Sequence, residues 1–115
     1  MGMSRDEFEI VLDGLIQLGI LERDPEGRIT MTQDFAQDLM AKVDDVLARP
    51  GVEQALRRHE IGDREVIMLI LAEAVKKRAK TIDVETLAKY VDAILAYFYA
   101  VAPEKFRAIF GATGP

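Results

Sequence analysis

The chain has 115 residues, of which 50% are apolar and 30% are charged, and its formal net charge is −5 at pH 7. A chain of this length buries about two-thirds of its unfolded surface, so it can form one core without disulfides or metal. We therefore expect residues 1–115 to form a single helical domain, and the apolar fraction excludes a disordered chain. The absence of cysteine excludes disulfides, thiolate metal sites and thiol catalysis.

The amino terminus shows no secretory signal, because no basic stretch followed by an apolar core is present there. The longest uncharged apolar run, residues 93–102, has 10 residues. A membrane-spanning helix needs about 20. We expect a cytoplasmic protein without a membrane partner.

The first predicted elements are a helix and a hairpin. Ser4 followed by Glu7 is a capping box that opens a helix, and Gly19 is placed to end it in the left-handed conformation. Two short segments, 20–23 and 28–32, then flank the turn sequence Asp-Pro-Glu-Gly at positions 24–27. Proline and glycine at those turn positions predict a short β-hairpin.

The rest of the chain predicts helices with apolar residues at helical spacing. They begin near Thr32, Pro50, Arg64, Val84 and Pro103. The helix from Arg64 is apolar around most of its circumference, so we place it at the centre of the fold. The predicted fold class is mostly α: five to six helices with one short β-hairpin near the amino terminus, around a single core.

Residues 5–32 carry a family resemblance. The pattern Leu12-x-x-Leu15-x-x-Leu18-Gly19-Ile20-Leu21, continuing through Thr32, resembles the recognition helix and wing of winged-helix proteins. The two helices that normally precede the recognition helix are missing from their place. The helix from Arg64 and the helix start at 81–88 would supply them in permuted order. The alternative is an ordinary helix and hairpin within a helical fold.

The resemblance implies nucleic-acid binding, but the charge of this region opposes it. Residues 1–48 hold 4 basic and 11 acidic side chains, a net charge of −7. DNA affinity comes mainly from Lys and Arg that reach phosphates. We therefore expect such a helix and wing to serve packing or protein binding rather than DNA reading.

The middle of the chain is basic. Residues 49–80 carry 8 basic and 5 acidic side chains. The candidate phosphate contacts are Arg57, Arg58, Lys76, Lys77, Arg78 and Lys80. The favoured interpretation is that these cations lie at helix ends, where they stabilise the negative end of the helix dipole. The charge polarity also allows two copies to meet acidic face to basic face, or the basic middle to fold back on its own acidic half.

The last quarter of the chain is densely apolar and holds six of the eight aromatic residues. A helix that is apolar on every face must be buried on every face, and a small domain offers few places for two such helices. We predict a homodimer interface formed by Tyr90, Ile94, Tyr97, Phe98, Tyr99, Phe106 and Phe110. The alternative is that residues 103–111 cap this helix within the monomer.

The sequence contains few residues that could catalyse a reaction. Ser4 is the only serine and is explained as a helix cap, and His59 is the only histidine. No phosphate-binding glycine loop or dinucleotide fingerprint is present. We predict no catalytic, cofactor-binding or metal-binding residues and no cofactor. The expected function is a non-enzymatic, self-associating protein-interaction or regulatory module, and another protein is a further candidate partner. The alternative is a winged-helix-like nucleic-acid-binding regulator that uses the basic segment 57–80.

Overall fold

A computed structural model describes residues 4–110, with side chains for residues 4–107. The predicted fold class is confirmed: helices dominate, with one two-stranded antiparallel hairpin near the amino terminus. The elements are α1 (Arg5–Gln17), β1 (Leu21–Arg23), β2 (Ile29–Met31), α2 (Gln33–Leu47), α3 (Val52–Arg57), α4 (Asp63–Arg78), α5 (Val84–Ala100) and α6 (Pro103–Phe110). In the part of the chain described, none of the helices combines the length and the apolar content that crossing a bilayer requires.

Helix α1 begins and ends where its sequence predicts. The Ser4 hydroxyl oxygen accepts a hydrogen bond from the Glu7 amide at 3.2 Å, which satisfies one of the free donors of the first turn. Gly19 has a φ of +75°, the left-handed conformation that turns the chain out of the helix. The turn directs Ile20 and Leu21 into the core, where both are buried.

The hairpin pairs Leu21 with Met31 and Arg23 with Ile29. Gly27 has a φ of +85°, as the turn sequence predicts. Thr32 links the hairpin to the helices on either side of it through hydrogen bonds. Its hydroxyl donates to the Gly19 carbonyl at 2.5 Å and accepts from the Phe35 amide at 3.3 Å, so one side chain joins the end of α1 to the start of α2.

The buried residues form one continuous core, with α4 in contact with both α2 and α5. Ile70, Leu71 and Val75 of α4 are fully buried, which agrees with its predicted central position. The buried faces of α2 and α4 are narrower than the apolar patterns of their sequences indicate. Met40 of α2 is 54% exposed and Leu69 of α4 is 43% exposed.

Helices α1 and α6 both pack on α5. The approach of α1 is close at Gly14, where an added Cβ would overlap the ring and hydroxyl of Tyr90. On another side of α5, the ring of Phe106 from α6 meets Phe98 edge to face, with centroids 5.9 Å apart. Helix α6 also contacts α2, so the carboxyl-terminal helix folds back over the core.

Candidate functional site

Three residues of the predicted dimer interface are buried inside the single chain. Ile94 and Phe98 have no exposed surface and Tyr97 is 6% exposed. The Tyr97 hydroxyl accepts a hydrogen bond from the Met31 amide at 3.0 Å, which ties α5 to the hairpin. These side chains are core residues of the monomer, because α4, α6 and the hairpin cover them. An interface formed by the folded chain can therefore contact little of these three side chains.

The remaining predicted interface residues lie nearer the surface. Tyr90 is half-buried against α1, and Phe106 is half-buried between α5 and solvent. Tyr99 is 61% exposed, and its ring lies 5.1 Å from that of Phe106. The side chain of Phe110 falls outside the described residues. The following segment therefore covers part of the end of α5 through Phe106, as the alternative drawn from the sequence expects.

One face of α5 stays open beyond this cap. Ala96 and Ala100 are exposed on it, and Val101 is 63% exposed. Together with α1 and the hairpin they line a groove of about 200 Å³, which we call the apolar cleft. Its lining residues are Phe8, Leu12, Leu21, Ile29, Ala93, Ala96, Tyr97, Ala100 and Val101. No charged side chain is among them.

A wider depression of about 500 Å³ adjoins the apolar cleft and shares Ile29, Tyr97 and Val101 with it. The turn of the hairpin and the start of α6 supply its charged residues. These are Asp24 and Arg28 from the turn, and Glu104 and Lys105 from the helix. We call these four residues the charged rim. The rim carries both signs in equal number, so it has no net charge.

The basic residues predicted to contact phosphates do not form one cluster, since Arg57 and Arg58 lie at the end of α3 and the others lie in the last turn of α4 or just after it. Arg57 pairs with Glu53 at 2.6 Å along α3, and Arg58 lies 3.8 Å from Glu60. Lys80 lies exposed after the end of α4. Arg57 and Arg58 therefore have local carboxylate partners at the end of α3, as the helix-end interpretation expects.

Arg78 serves the interior of the fold. Its guanidinium donates to Asp38 of α2 at 2.9 Å and to the carbonyls of Leu18 and Gly19 at 3.3 and 3.4 Å. It also lies 5.4 Å from the ring centroid of Phe35, within the range of a cation–π contact. The carbonyls of Leu18 and Gly19, directly after the end of α1, thus accept hydrogen bonds from α4, and the Gly19 carbonyl also accepts one from Thr32.

Arg78 is one end of a row of ion pairs between α2 and α4. We call this row the α2–α4 seam; its residues are Asp38, Lys42, Asp45, Arg49, Glu73, Lys77 and Arg78. At the other end Arg49 donates to both oxygens of Glu73, at 2.6 and 2.9 Å. The hydrogen bonds from Arg49 lower the pKa of Glu73, and they outweigh its partial burial. In the seam, the basic middle of the chain folds back on its own acidic half.

The seam also brings three lysines together. Lys42, Lys76 and Lys77 line a depression of about 320 Å³ beside Glu73, with Ala72 and Leu87 as its apolar lining. We call it the lysine depression. Two of these lysines are predicted phosphate contacts, whereas Lys42 lies in the acidic half and is not. The signal for Lys42 is its spacing from Asp38 and Asp45, which places the three residues on one face of α2.

The predicted wing carries little free positive charge at its turn. Arg28 contacts Asp24 at 3.0 Å and Glu26 at 2.8 Å, and Asp24 also accepts the amides of Glu26 and Arg28. Helix α1 contacts α5 in the folded chain. The winged-helix resemblance itself stays a prediction.

Comparisons with known proteins return no family model, no curated protein and no solved structure that matches this chain. Within the described residues, no group of three or more His, Cys, Asp or Glu side chains is arranged to hold a metal ion.

Proposed function

We propose that this protein is a non-enzymatic, cytoplasmic interaction module that self-associates as a symmetric dimer through the apolar cleft. The observation that carries the proposal is the open face of α5. Ala96, Ala100 and Val101 are exposed there, in a groove with no charged lining residue. Exposed apolar grooves bordered by polar residues mark contact sites in proteins of this size.

The apolar cleft and the charged rim together have the anatomy of a protein interface. Interfaces have an apolar centre that excludes water and a polar border around it. The alanines at the open side of the cleft add little bulk, so a partner can approach the α5 backbone closely. Val101, at the end of the cleft, offers an apolar side chain that a partner would bury.

The charge of the rim favours a second copy of the chain as the partner. In a twofold dimer the same patch meets itself, so a patch of one sign would repel its copy. The chain as a whole carries a net charge of −5, which disfavours most self-contacts. In the charged rim Asp24 and Arg28 pair with each other, and Glu104 of one copy can meet Lys105 of the other across the dyad.

Sedimentation equilibrium over a range of protein concentrations tests the proposal. We expect the native chain to show a concentration-dependent dimer. Ala96→Glu places a charge in the apolar cleft and a like charge opposite it, which we expect to weaken self-association roughly a hundredfold. Ala41→Glu, at an exposed alanine of α2, is the matched control and should leave the dimer unchanged. A monomeric native chain, or equal dimers in all three proteins, would contradict the proposal.

Nucleic-acid binding by the segment 57–80 ranks below self-association. Arg57, Arg58 and Arg78 each have a carboxylate partner within the chain. A polyanion would have to displace those carboxylates before it gained contacts to the arginines.

A further inference from the structure

The lysine depression is independent of the apolar cleft, and nothing in the proposed dimer uses it. Two adjacent lysines of α4, Lys76 and Lys77, face a third, Lys42, which comes from α2. We infer that this depression binds the phosphoryl group of a small ligand. Some charges of the α2–α4 seam are paired at hydrogen-bonding distance, and others have no close partner.

The carboxylates beside the depression accept hydrogen bonds from arginines, and the three carboxylates share two arginines. Glu73 receives Arg49 at 2.6 and 2.9 Å, and Asp45 also receives Arg49, at 3.0 Å. Asp38 receives Arg78 at 2.9 Å. These are the distances of charge-assisted hydrogen bonds. The carboxylates are therefore satisfied without any lysine.

The lysines lie at longer distances from the same carboxylates. The Lys42 ammonium is 3.7 Å from Glu73 and 3.9 Å from Asp45, and the Lys77 ammonium is 3.5 Å from Asp38. Lys76 has no ion-pair partner among the described residues. At these distances the lysine pairs are weaker than the arginine pairs, although Lys42, Glu73 and Asp38 are partly buried. The ammonium groups can therefore turn toward a ligand without breaking a close hydrogen bond. The depression consequently holds surplus positive charge in a chain that is acidic overall.

The size of the depression favours a compact anion. Its volume of about 320 Å³ is of the order of a small-ligand pocket, and Ala72 and Leu87 give it an apolar lining beneath the ammonium groups. A phosphoryl group carries close to two negative charges at neutral pH and offers three acceptor oxygens, one for each lysine. A long nucleic acid would instead extend over the acidic surface of a chain with a net charge of −5.

Calorimetric titration with inorganic pyrophosphate at low salt tests the inference. We expect saturable binding to the native chain. Lys76→Gln combined with Lys77→Gln should weaken it roughly tenfold, because each exposed charge contact contributes up to about 1 kcal/mol. The matched control is Arg64→Gln combined with Lys80→Gln, which removes two charges from the same region of the chain outside the depression and should bind like the native chain.

Two results would overturn the inference: no pyrophosphate binding by the native chain, or equal weakening in the test and control variants. A DNA duplex titrated in parallel separates the sources of phosphate. Duplex binding that is lost in the Lys76 and Lys77 variant, without pyrophosphate binding, would assign the site to a nucleic-acid backbone and overturn the small-ligand assignment. Because these variants lie outside the apolar cleft, their dimer mass should not change, so failure here is distinct from failure of the proposed dimer.

Discussion

The α2–α4 seam and the apolar cleft are both formed where two helices run side by side, but they are completed differently. In the seam, arginines and carboxylates from the two helices meet at hydrogen-bonding distance, and Arg78 also satisfies the end of α1. At the cleft, α1 touches α5 closely at Gly14, and an apolar groove stays open beside Phe8 and Ala100. The seam uses most of its charge inside the chain, whereas the cleft leaves its apolar surface to solvent.

This difference shows that a dense sequence pattern does not by itself locate a functional surface. The densest aromatic run supplies Tyr97 and Phe98 to the core, and the basic run supplies Arg78 to an internal junction. The surfaces left open to a partner are those that such contacts do not use. They are Ala96, Ala100 and Val101 at the end of α5, and the three lysines of the lysine depression.

The largest expected effect separates the core side of α5 from its open side. Phe98→Ala removes a fully buried ring and should lower the free energy of unfolding by about 3–5 kcal/mol, because it leaves a cavity. Tyr99→Ala, one residue away, removes a ring that is 61% exposed and should cost less than about 1.5 kcal/mol. Urea unfolding of both variants measures the difference. Equal losses would mean that the two sides of α5 are not distinct.

The next effect tests whether the seam is structural. Arg78→Met keeps much of the apolar stem but removes the donor of the Leu18 carbonyl and the closest donor of Asp38, so we expect a loss of roughly 1.5–3 kcal/mol in the free energy of unfolding. Arg78→Lys keeps the charge without the forked geometry and should recover only part of that loss. Full recovery by lysine would show that charge alone, rather than the contacts to α1, stabilises the junction.

A smaller effect is expected at Gly14, where α1 approaches α5 closely. Gly14→Ala would gain about 1 kcal/mol from helix propensity, but its methyl overlaps Tyr90. We expect a net loss of about 1 kcal/mol in the native background, since overpacking commonly costs 1–3 kcal/mol. In a Tyr90→Leu background the same substitution should be neutral or stabilising. Thermal unfolding of the four proteins in this cycle shows whether the sign changes.

The smallest expected effect is a pH dependence of the seam. Partial burial raises the pKa of Asp38, but the hydrogen bond from Arg78 and the charge of Lys77 outweigh it, so the pKa lies below its ordinary 3.8. The pKa of Glu73 lies below its ordinary 4.5, chiefly through the hydrogen bonds from Arg49. Carboxylates with lowered pKa values stabilise the fold above their unfolded pKa and lose that contribution as pH falls through the folded pKa.

We therefore expect the free energy of unfolding to fall as the pH is lowered below about 4.5. The Asp38→Asn and Glu73→Gln double variant should be less stable at neutral pH and should show a shallower fall over the same range. Chemical denaturation at a series of pH values provides the measurement. A native chain and double variant with parallel pH profiles would show that other carboxylates carry the acid sensitivity.

The sequence was sufficient to predict the local elements of this fold. Ser4, Gly19, Gly27 and Thr32 each act through contacts or backbone angles within a few residues, and the structure confirms all four. The fold class follows from those boundaries together with the apolar periodicity. Residues whose role depends on their own turn of the chain can be interpreted without tertiary information.

The surfaces depend on contacts between distant residues, and the sequence was not sufficient to predict them. Lys42 and Lys76 meet only because α2 and α4 pack together, and their separation along the chain conceals it. Ala96 and Ala100 are small and form no distinctive sequence pattern. The aromatic pattern around them predicts an interface at Phe98 instead. They are exposed because the elements that pack on α5 leave this face of the helix uncovered.

The most direct test of the account is the distance between spin labels in a self-associated sample. Because the chain has no cysteine, Glu104→Cys at the charged rim and Lys76→Cys at the lysine depression each provide a single labelling site. Pulsed electron–electron double resonance should give a clear distance between the labels of the two copies at each position. We expect this distance to be shorter for position 104 than for position 76. A shorter distance at position 76, or no dipolar coupling at either position at high protein concentration, would contradict a dimer formed through the apolar cleft.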